Sequence, residues 1–255
     1  MVRDKLTRQT RLAAVVALAA AVSGTPAGAV VGPSESGARF ADRLVMVLAR
    51  AGDEQANCTG VVLGPRIVLT AAHCVRSPRD TAVFYRDEAG RPVLRPAQAV
   101  AVHPQYRADA VARRVVSIDL ALIETATPLD PRFAASRLAD GDGPAVGEET
   151  ILAGFGDGRE GEPTTGGVLR SAKLAVRAPL STILLWAEDG NRAGAGACVG
   201  DSGGPLFLGD GETVAAIVAW TSGAERGKRC GGLTQGPLIA PQRDWIAATL
   251  ARWRP

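Results

Sequence analysis

The apolar positions of this chain fall mostly into short runs that Gly, Pro, Asn or Asp residues separate. Short apolar or β-branched runs between turn residues predict β-strands. We expect strands at residues 44–48, 61–63, 67–70, 82–85, 99–102, 120–123, 150–153, 214–220 and 237–239. Helical spacing is clear only at residues 242–252, which place Trp245, Ile246, Thr249 and Leu250 on one face. Many short strands without interleaved helices predict an all-β barrel or sandwich, followed by one helix.

Residues 1–29 show the three-part pattern of a secretory signal peptide. A basic segment precedes the apolar run of residues 12–22, and small residues follow it. As a helix this run would span about 17 Å against about 30 Å of membrane hydrocarbon, which disfavours a permanent transmembrane span. Ala27 and Ala29 suit the subsites of signal peptidase. We therefore expect cleavage after Ala29 and a secreted, extracellular chain that begins at Val30.

The basic charge of the chain is concentrated in this leader. The 255 residues carry 29 Lys+Arg and 26 Asp+Glu, a formal charge of +3. Residues 1–29 hold four of the basic residues and one of the acidic residues, so 25 of each remain after cleavage. A formally neutral chain gives no electrostatic support for binding nucleic acid or a membrane surface. We expect neither partner.

The chain has four cysteines, Cys58, Cys74, Cys198 and Cys230. An even number in an exported chain predicts two disulfides, but four cysteines allow three connectivities. There is no CxxC pair and there are only two histidines, so a zinc site has little support. We expect no metal.

Ser202 lies among glycines in the segment GDSGGP, residues 200–205. Glycine lets a carbonyl substrate approach both the serine hydroxyl and the neighbouring backbone N–H groups, as an acyl-transfer nucleophile requires. The same GxSxG pattern surrounds the nucleophile of α/β-hydrolases, which need a histidine after the serine. No histidine follows Ser202, which nearly excludes that alternative.

The general base and its carboxylate partner have few candidates. His73 follows an apolar strand, whereas His103 stands in the sequence HPQY and is more typical of an exposed or turn-capping residue. Asp119 is a carboxylate within an apolar strand, where a buried partner is usual. We therefore favour His73 and Asp119. The order His, Asp, Ser is that of chymotrypsin rather than subtilisin.

Three motifs carry a resemblance to a known family: TAAHC at residues 70–74, DLAL at 119–122 and GDSGGP at 200–205. With these motifs the chain resembles the trypsin/chymotrypsin family of serine endopeptidases, of the secreted bacterial type. The resemblance covers residues 30–255. It implies an all-β fold of two six-stranded antiparallel β-barrels with a C-terminal helix, and an active site between the barrels.

The resemblance also suggests how the chain is divided. We expect the N-terminal barrel in residues 30–130, and the C-terminal barrel with the terminal helix in residues 131–255. Residues 125–142 contain prolines, glycine and several charges, which is typical of a linker between two halves. By the same resemblance, the disulfides would be Cys58–Cys74 and Cys198–Cys230.

The resemblance implies a role for each site residue. Ser202 would attack the scissile carbonyl, His73 would transfer its proton, and Asp119 would hold the imidazole. The N–H groups of Gly200 and Ser202 would form the oxyanion hole. No metal or organic cofactor is needed.

Activation in this family requires a new amino terminus that pairs with the aspartate beside the nucleophile, here Asp201. Neither Arg nor Lys precedes Val30, so no tryptic activating cut is available. We expect signal peptidase itself to release the Val30 amine and the enzyme to be active once it is exported and folded.

The resemblance places the floor of the primary substrate pocket at Gly196, where trypsins have an aspartate. A cationic side chain buried without a counter-charge is costly, so we expect an enzyme that is not specific for Arg or Lys. Ala219, Trp220 and Thr221 would also line the pocket. Thr221 stands where glycine is usual, which favours small or medium apolar side chains. Glu225 is the alternative source of a charge.

Polypeptide substrates and protein protease inhibitors are the expected partners of a monomeric enzyme. Ala219 replaces a serine that in this family donates to the triad aspartate, so we expect reduced rather than absent activity. The alternative function is a catalytically weak or inactive protease homologue that acts as a secreted binding module. Such proteins usually lack a triad residue, and none is missing here.

Overall fold

The computed structural model describes residues 30–52, 54–113 and 115–254, so the expected signal peptide at residues 1–29 lies outside the described residues. The strands are β1 Glu35–Ser36, β2 Leu44–Ala51, β3 Glu54–Gly64, β4 Ile67–Thr70, β5 Thr81–Arg86, β6 Pro92–Val102, β7 Ala121–Thr125, β8 Arg137–Leu138, β9 Glu149–Gly154, β10 Arg170–Val176, β11 Leu184–Glu188, β12 Pro205–Leu208, β13 Thr213–Ile217, β14 Trp220–Gly223 and β15 Gly231–Pro237. The α-helices are α1 Ala110–Arg113 and α2 Arg243–Trp253. Short 3₁₀-helices cover Ala38–Phe40, Ala72–Cys74, Pro78–Asp80, Pro163–Thr165 and Ala240–Gln242.

Strands β2 to β7 close into a six-stranded barrel in the order β2-β3-β4-β7-β6-β5, with β5 paired back to β2. In β2, Val45, Val47 and Ala49 are buried, whereas Met46 and Leu48 between them are partly exposed. This alternation is typical of an antiparallel strand with one face on the core.

The register of the barrel brings two strand ends together. Thr70, the last residue of β4, lies opposite Ala121, the first residue of β7. Because the two strands are antiparallel, the chain leaving β4 and the chain entering β7 lie at the same edge of the barrel. These two segments carry His73 and Asp119.

Among the described residues, the other strands form one nine-stranded sheet rather than a second closed barrel. Its order is β14-β15-β11-β10-β9-β12-β13-β8, with β1 added to β10, and β8 pairs with β13 in parallel. Strand β15 ends at Pro237, which has no N–H to continue a ladder, and Ala216 of β13 meets the next residue, Leu238, in a single bridge. The expectation of two six-stranded antiparallel barrels is therefore wrong for the second half of the chain.

The terminal helix and a stacked aromatic pair connect the six-stranded barrel to the nine-stranded sheet. Ile246 and Thr249 of α2 are buried, and Ile246 belongs to the same apolar cluster as Leu122 of the barrel. Phe40, which precedes β2, stacks on Phe207 of β12 with a distance of 5.3 Å between ring centroids. The core is thus continuous from the barrel into the sheet.

The pattern-based strands agree well with the first half of the fold and poorly with the second. The predicted strands at 44–48, 61–63, 67–70, 82–85, 99–102, 120–123 and 150–153 overlap observed strands, and the predicted helix at 242–252 overlaps α2. The predicted strand at 214–220 is two strands, and residues 237–239 hold only the end of β15. Strands β1, β8, β10, β11 and β12 are absent from the prediction. No helix in the described part of the chain has the length and apolar character that crossing a bilayer requires.

Candidate active site

His73 and Asp119 meet at the edge of the barrel where β4 ends and β7 begins. Nδ1 of His73 lies 2.7 Å from Oδ2 of Asp119. The backbone N–H of His73 donates to Oδ1 of the same carboxylate at 2.9 Å. The side chains are 35% and 16% exposed, so the imidazole faces solvent while the carboxylate lies behind it. Two contacts from one residue define the orientation of the imidazole.

The carboxylate of Asp119 also determines which ring nitrogen of His73 carries the proton. A proton on Nδ1 donates to Asp119 and leaves Nε2 free to accept one. Ala219 supplies no donor to Asp119, since its backbone N–H donates to the carbonyl of Gln235 at 2.9 Å. Among the described residues, His73 is therefore the hydrogen-bond donor to this carboxylate. Burial, and then the nearby charge of Asp119, raise the pKa of the Tyr106 phenol above its ordinary value.

The loop that carries Ser202 is attached to the barrel beside His73. The backbone N–H of Thr59 in β3 donates to the carbonyl of Ser202 at 2.8 Å. The residue before Thr59 is Cys58, which forms a disulfide with Cys74, the residue after His73. The disulfide and the hydrogen bond together bring the serine loop and the histidine turn to the same part of strand β3.

The hydroxyl of Ser202 makes no hydrogen bond among the described residues. The structure thus pairs His73 with Asp119 and leaves the contact between Nε2 of His73 and Oγ of Ser202 unformed. Catalytic hydrogen bonds are often long in the absence of substrate and shorten when it binds.

The backbone N–H groups of Gly200 and Ser202 have no acceptor in the described part of the chain. Gly200 has φ +96°, a left-handed conformation that glycine adopts without strain. The carbonyl of Val199 accepts the N–H of Asp157 at 2.7 Å. Because the C=O and N–H of one trans peptide point in opposite directions, the N–H of Gly200 faces away from Asp157. Two free donors two residues apart suit a developing negative charge.

Asp201 lies completely buried beneath this loop. Its Oδ1 accepts the N–H of Gly156 and its Oδ2 accepts the N–H of Cys198, both at 2.9 Å. The N–H of Val30, also fully buried, is a third donor. Despite these bonds, burial raises the pKa of Asp201 to about 7. The nitrogen of Val30 reaches the carboxylate even as part of a peptide bond.

The walls of the expected primary pocket are in contact with each other. A Cβ on Gly196 would lie 3.0 Å from the backbone of Gly231, so a side chain at the floor would crowd this neighbour. The hydroxyl of Thr221 donates to the carbonyl of Ala197 at 3.2 Å, and the N–H of Gly231 donates to the same carbonyl at 3.2 Å. None of these contacts involves a carboxylate, and Glu225 is exposed.

A cavity of about 550 Å³ opens beside His73 and Asp119. Its walls come from the loop before β7, the segment that leads into β11, and strands β14 and β15. Most of the lining is apolar and includes Val115, Val116, Ile183, Trp186, Trp220 and Pro237. The indole N–H of Trp186 donates to the side chain of Gln235, which fixes one wall. Ala219 and Trp220 of the expected primary pocket line this cavity as well.

His103 lies apart from these groups, and it is buried rather than exposed. Its Nδ1 accepts the N–H of Gln105 at 3.2 Å, which caps the turn. Its ring packs edge-on against Trp245, with 4.8 Å between centroids. Burial lowers the pKa of His103, so the ring is a neutral structural element.

The four cysteines form the disulfides Cys58–Cys74 and Cys198–Cys230. The donor atoms of Cys58, His73 and Cys74 lie within 4.8 Å of one another. The two sulfurs of this group are bonded to each other, so they offer no thiolate to a metal ion.

Sequence reasoning missed two parts of the site. Thr59 contacts the serine loop through both its backbone and its side chain, yet in the sequence it is only one β-branched residue of a strand. The cavity lining comes from segments that are far apart in the chain and lack a shared motif. Of the residues that line the cavity, the sequence motifs indicate His73, Asp119, Ala219 and Trp220.

Comparison with known proteins identifies relatives of this chain. The family profile described as Trypsin matches residues 35–246. A trypsin of Simulium vittatum is 31% identical over 192 residues, which are 66% of this chain and 71% of the relative. Trypsin eta of Drosophila erecta is 28% identical over 252 residues, 89% of this chain and 92% of the relative. Transmembrane protease serine 9 of Rattus norvegicus is 27% identical over 219 residues, 76% of this chain but only 20% of that protein.

Solved structures show the same fold. The inactivated protease paralogue S-I1 of the scabies mite superposes with a TM-score of 0.68 at 22% identity, covering 87% of this chain and 99% of that chain. At this identity the likeness shows the fold alone. The relatives above come from insects and a mammal, so the expectation of a bacterial-type enzyme is not supported. The profile nevertheless spans most of the chain, and the chain belongs to the trypsin family of serine endopeptidases.

Proposed function

We propose that the chain is a secreted serine endopeptidase that hydrolyses peptide bonds through an acyl-enzyme on Ser202. The observation that carries this proposal is the 2.7 Å contact between His73 and Asp119 beside a serine loop with two free N–H groups. Polypeptides are its substrates. We expect the enzyme to be a monomer. Its other partners would be protein inhibitors that occupy the substrate-binding site.

The reaction begins when Oγ of Ser202 attacks the scissile carbonyl carbon while its proton passes to Nε2 of His73. The imidazolium, stabilised by Asp119, then gives this proton to the leaving amine, and the C–N bond breaks. Water attacks the resulting ester, its proton goes to His73, and Ser202 regains a proton as the acid product leaves. Asp119 stays ionised throughout.

The two free N–H groups stabilise the oxyanion that forms in both halves of the reaction. The donors of Gly200 and Ser202 are already oriented, so little reorganisation is needed when the charge appears. Asp119 receives hydrogen bonds from His73 but none from position 219. Its negative charge is therefore less dispersed, and we expect lower turnover than in an enzyme with that extra donor.

Substrate selection follows from the closed primary pocket. Thr221, which the family resemblance places at the entrance, donates to the carbonyl of Ala197, and a Cβ on Gly196 would crowd Gly231. Side chains of Gly or Ala size suit this space, and Arg or Lys would find neither room nor a counter-charge. The apolar cavity beside His73 binds a larger apolar side chain of the substrate. This side chain lies on the same side of the scissile bond as the residue in the primary pocket.

Export and activation are one event in this proposal. Signal peptidase removes residues 1–29 and frees the amine of Val30, whose nitrogen already lies at Asp201. An ammonium at this place neutralises a buried carboxylate and holds the loop of Gly200 and Ser202. The two expected units, residues 30–130 and 131–255, contribute His73 with Asp119 and Ser202, respectively.

Labelling with a fluorophosphonate tests the proposed function. The secreted chain should be labelled on Ser202, and the variant His73→Ala should lose the labelling, because the hydroxyl then has no base. Turnover of either Ser202→Ala or His73→Ala should fall by on the order of a millionfold. A folded wild type that is not labelled would instead favour the secreted binding module. In a panel of peptides that vary one side chain, Arg or Lys as the best residue would contradict the closed-pocket argument.

A further inference from the structure

The side chain of Thr59 connects the barrel to both loops that shape the oxyanion hole. Thr59 lies in β3 and is completely buried. Its hydroxyl donates to the carbonyl of Gly200 at 2.9 Å and accepts the N–H of Phe155 at 3.0 Å. Because one partner is an acceptor and the other a donor, the orientation of this hydroxyl is fully specified.

The contact with Gly200 matters because of where this glycine stands. Its N–H belongs to the peptide shared with Val199, and its carbonyl belongs to the peptide shared with Asp201. The first peptide is held by the bond from Asp157 to the carbonyl of Val199, at 2.7 Å. The second is held by Thr59. Gly200 has no side chain to restrict its dihedral angles, so these two bonds set the direction of the oxyanion-hole N–H.

The contact with Phe155 extends the same support to the neighbouring turn. The next residue, Gly156, donates to Oδ1 of Asp201 at 2.9 Å. The backbone of Thr59 is itself fixed, since its N–H donates to Ser202 and its carbonyl accepts the hydroxyl of Thr70, both at 2.8 Å. One strand residue of the barrel thus holds the serine loop and the turn beneath it.

We propose that Thr59 is a positioning residue for the oxyanion hole, acting through its hydroxyl on the carbonyl of Gly200. The inference rests on the proposed function, because it concerns the acyl-transfer step of the same site. Thr59 does not touch the substrate. It determines how much of the time the N–H of Gly200 points into the hole.

The variant Thr59→Val removes the hydroxyl and keeps the shape of the side chain. We expect kcat for a peptide amide to fall about tenfold, which corresponds to about 1.4 kcal/mol, the size of one net hydrogen bond. KM should stay within twofold, because the ground-state carbonyl depends less on the hole than the tetrahedral state does. The inhibition constant of a peptide aldehyde, whose adduct places an oxyanion in the hole, should rise by the same factor as kcat falls. Thr59→Ser keeps the hydroxyl and should retain most of the wild-type kcat and most of the affinity for the aldehyde.

Thr150→Val is the matched control. Thr150 is also fully buried in a strand, and its hydroxyl donates to the carbonyl of Leu174 at 3.1 Å, away from the serine loop. This variant should lose stability as Thr59→Val does, while kcat and the inhibition by the aldehyde stay within twofold of wild type. Thr59→Ala provides a second hydroxyl-free variant if Thr59→Val does not fold.

Three results would overturn the inference. They are an unchanged kcat and aldehyde affinity in a folded hydroxyl-free variant, an equal loss in Thr150→Val, and a loss in Thr59→Ser as large as in Thr59→Val. A wild type that neither cleaves peptides nor reacts with a fluorophosphonate contradicts the proposed function instead. The two failures are therefore distinguishable.

Discussion

The pH dependence of stability should differ between the chain that begins at Val30 and a chain that retains Gly28 and Ala29. In the longer form the nitrogen of Val30 is a peptide amide, and burial raises the pKa of Asp201 from 3.8 to about 7. The folded longer form therefore binds a proton that the unfolded chain releases. The bound proton stabilises the folded longer form. This stabilisation is complete below about pH 4 and is lost as the pH rises through about 7.

The size of this effect follows from the shift. One unit of pKa corresponds to about 1.4 kcal/mol, so ionising Asp201 should cost the longer form on the order of 4 kcal/mol between pH 4 and pH 8. That is a large part of the usual stability of a domain, about 5–15 kcal/mol. In the form that begins at Val30, the ammonium stabilises the carboxylate, and the loss over this range should be less than about 1 kcal/mol.

Urea unfolding at four pH values between 4 and 8 measures, for each form, the slope of the free energy of unfolding against pH. The variant Asp201→Asn in the longer form is the control, since it removes the titrating group and should flatten the curve. Equal slopes in the two forms would show that the Val30 amine does not neutralise Asp201, and a slope in the longer form that Asp201→Asn leaves unchanged would show that Asp201 is not the titrating group.

Three further predictions concern the site. Ala219→Ser adds a donor next to Asp119, and we expect kcat to rise by a few-fold while KM stays constant, the scale of one weak hydrogen bond; a fall in kcat would contradict this. Thr221→Gly opens the entrance of the primary pocket, so kcat/KM should rise about tenfold or more for a peptide with Phe before the scissile bond, and no gain over a matched Ala peptide would be evidence against the closed entrance. Replacing Cys58 and Cys74 together by Ser opens a 16-residue loop, which should cost about 3 kcal/mol in urea unfolding; an unchanged midpoint would contradict this magnitude.

The proposed catalytic groups stand out in the sequence because each lies within a short local pattern. His73 comes three residues after the end of β4, and Asp119 comes two residues before β7 rather than within a strand, so both lie close to strand ends that the apolar pattern marks. Thr59 offers no such signal. Its hydroxyl binds a carbonyl 141 residues away, and only the folded chain brings the two together.

The second half of the fold was harder to predict for two physical reasons. Strand β12 is buried at Pro205, Leu206 and Phe207 in succession, so it lacks the alternation that marks a half-exposed strand. Strand β15 has the sequence GGLTQGP, whose glycines and proline resemble a turn, yet pairing with β11 and β14 makes it a strand. Tertiary pairing overrides local propensity here. Whether the sheet closes depends on contacts between its edges, which no local pattern encodes.

Active-site titration with a p-nitrophenyl ester measures whether Ser202 forms an acyl-enzyme. If Ser202 forms an acyl-enzyme, the chain that begins at Val30 should release a burst of about one p-nitrophenol per molecule before steady turnover. Mass spectrometry of the quenched enzyme should place the acyl group on the peptide that contains Ser202, and Ser202→Ala should show no burst. A folded wild type with no burst, or an acyl group on another residue, would contradict the account.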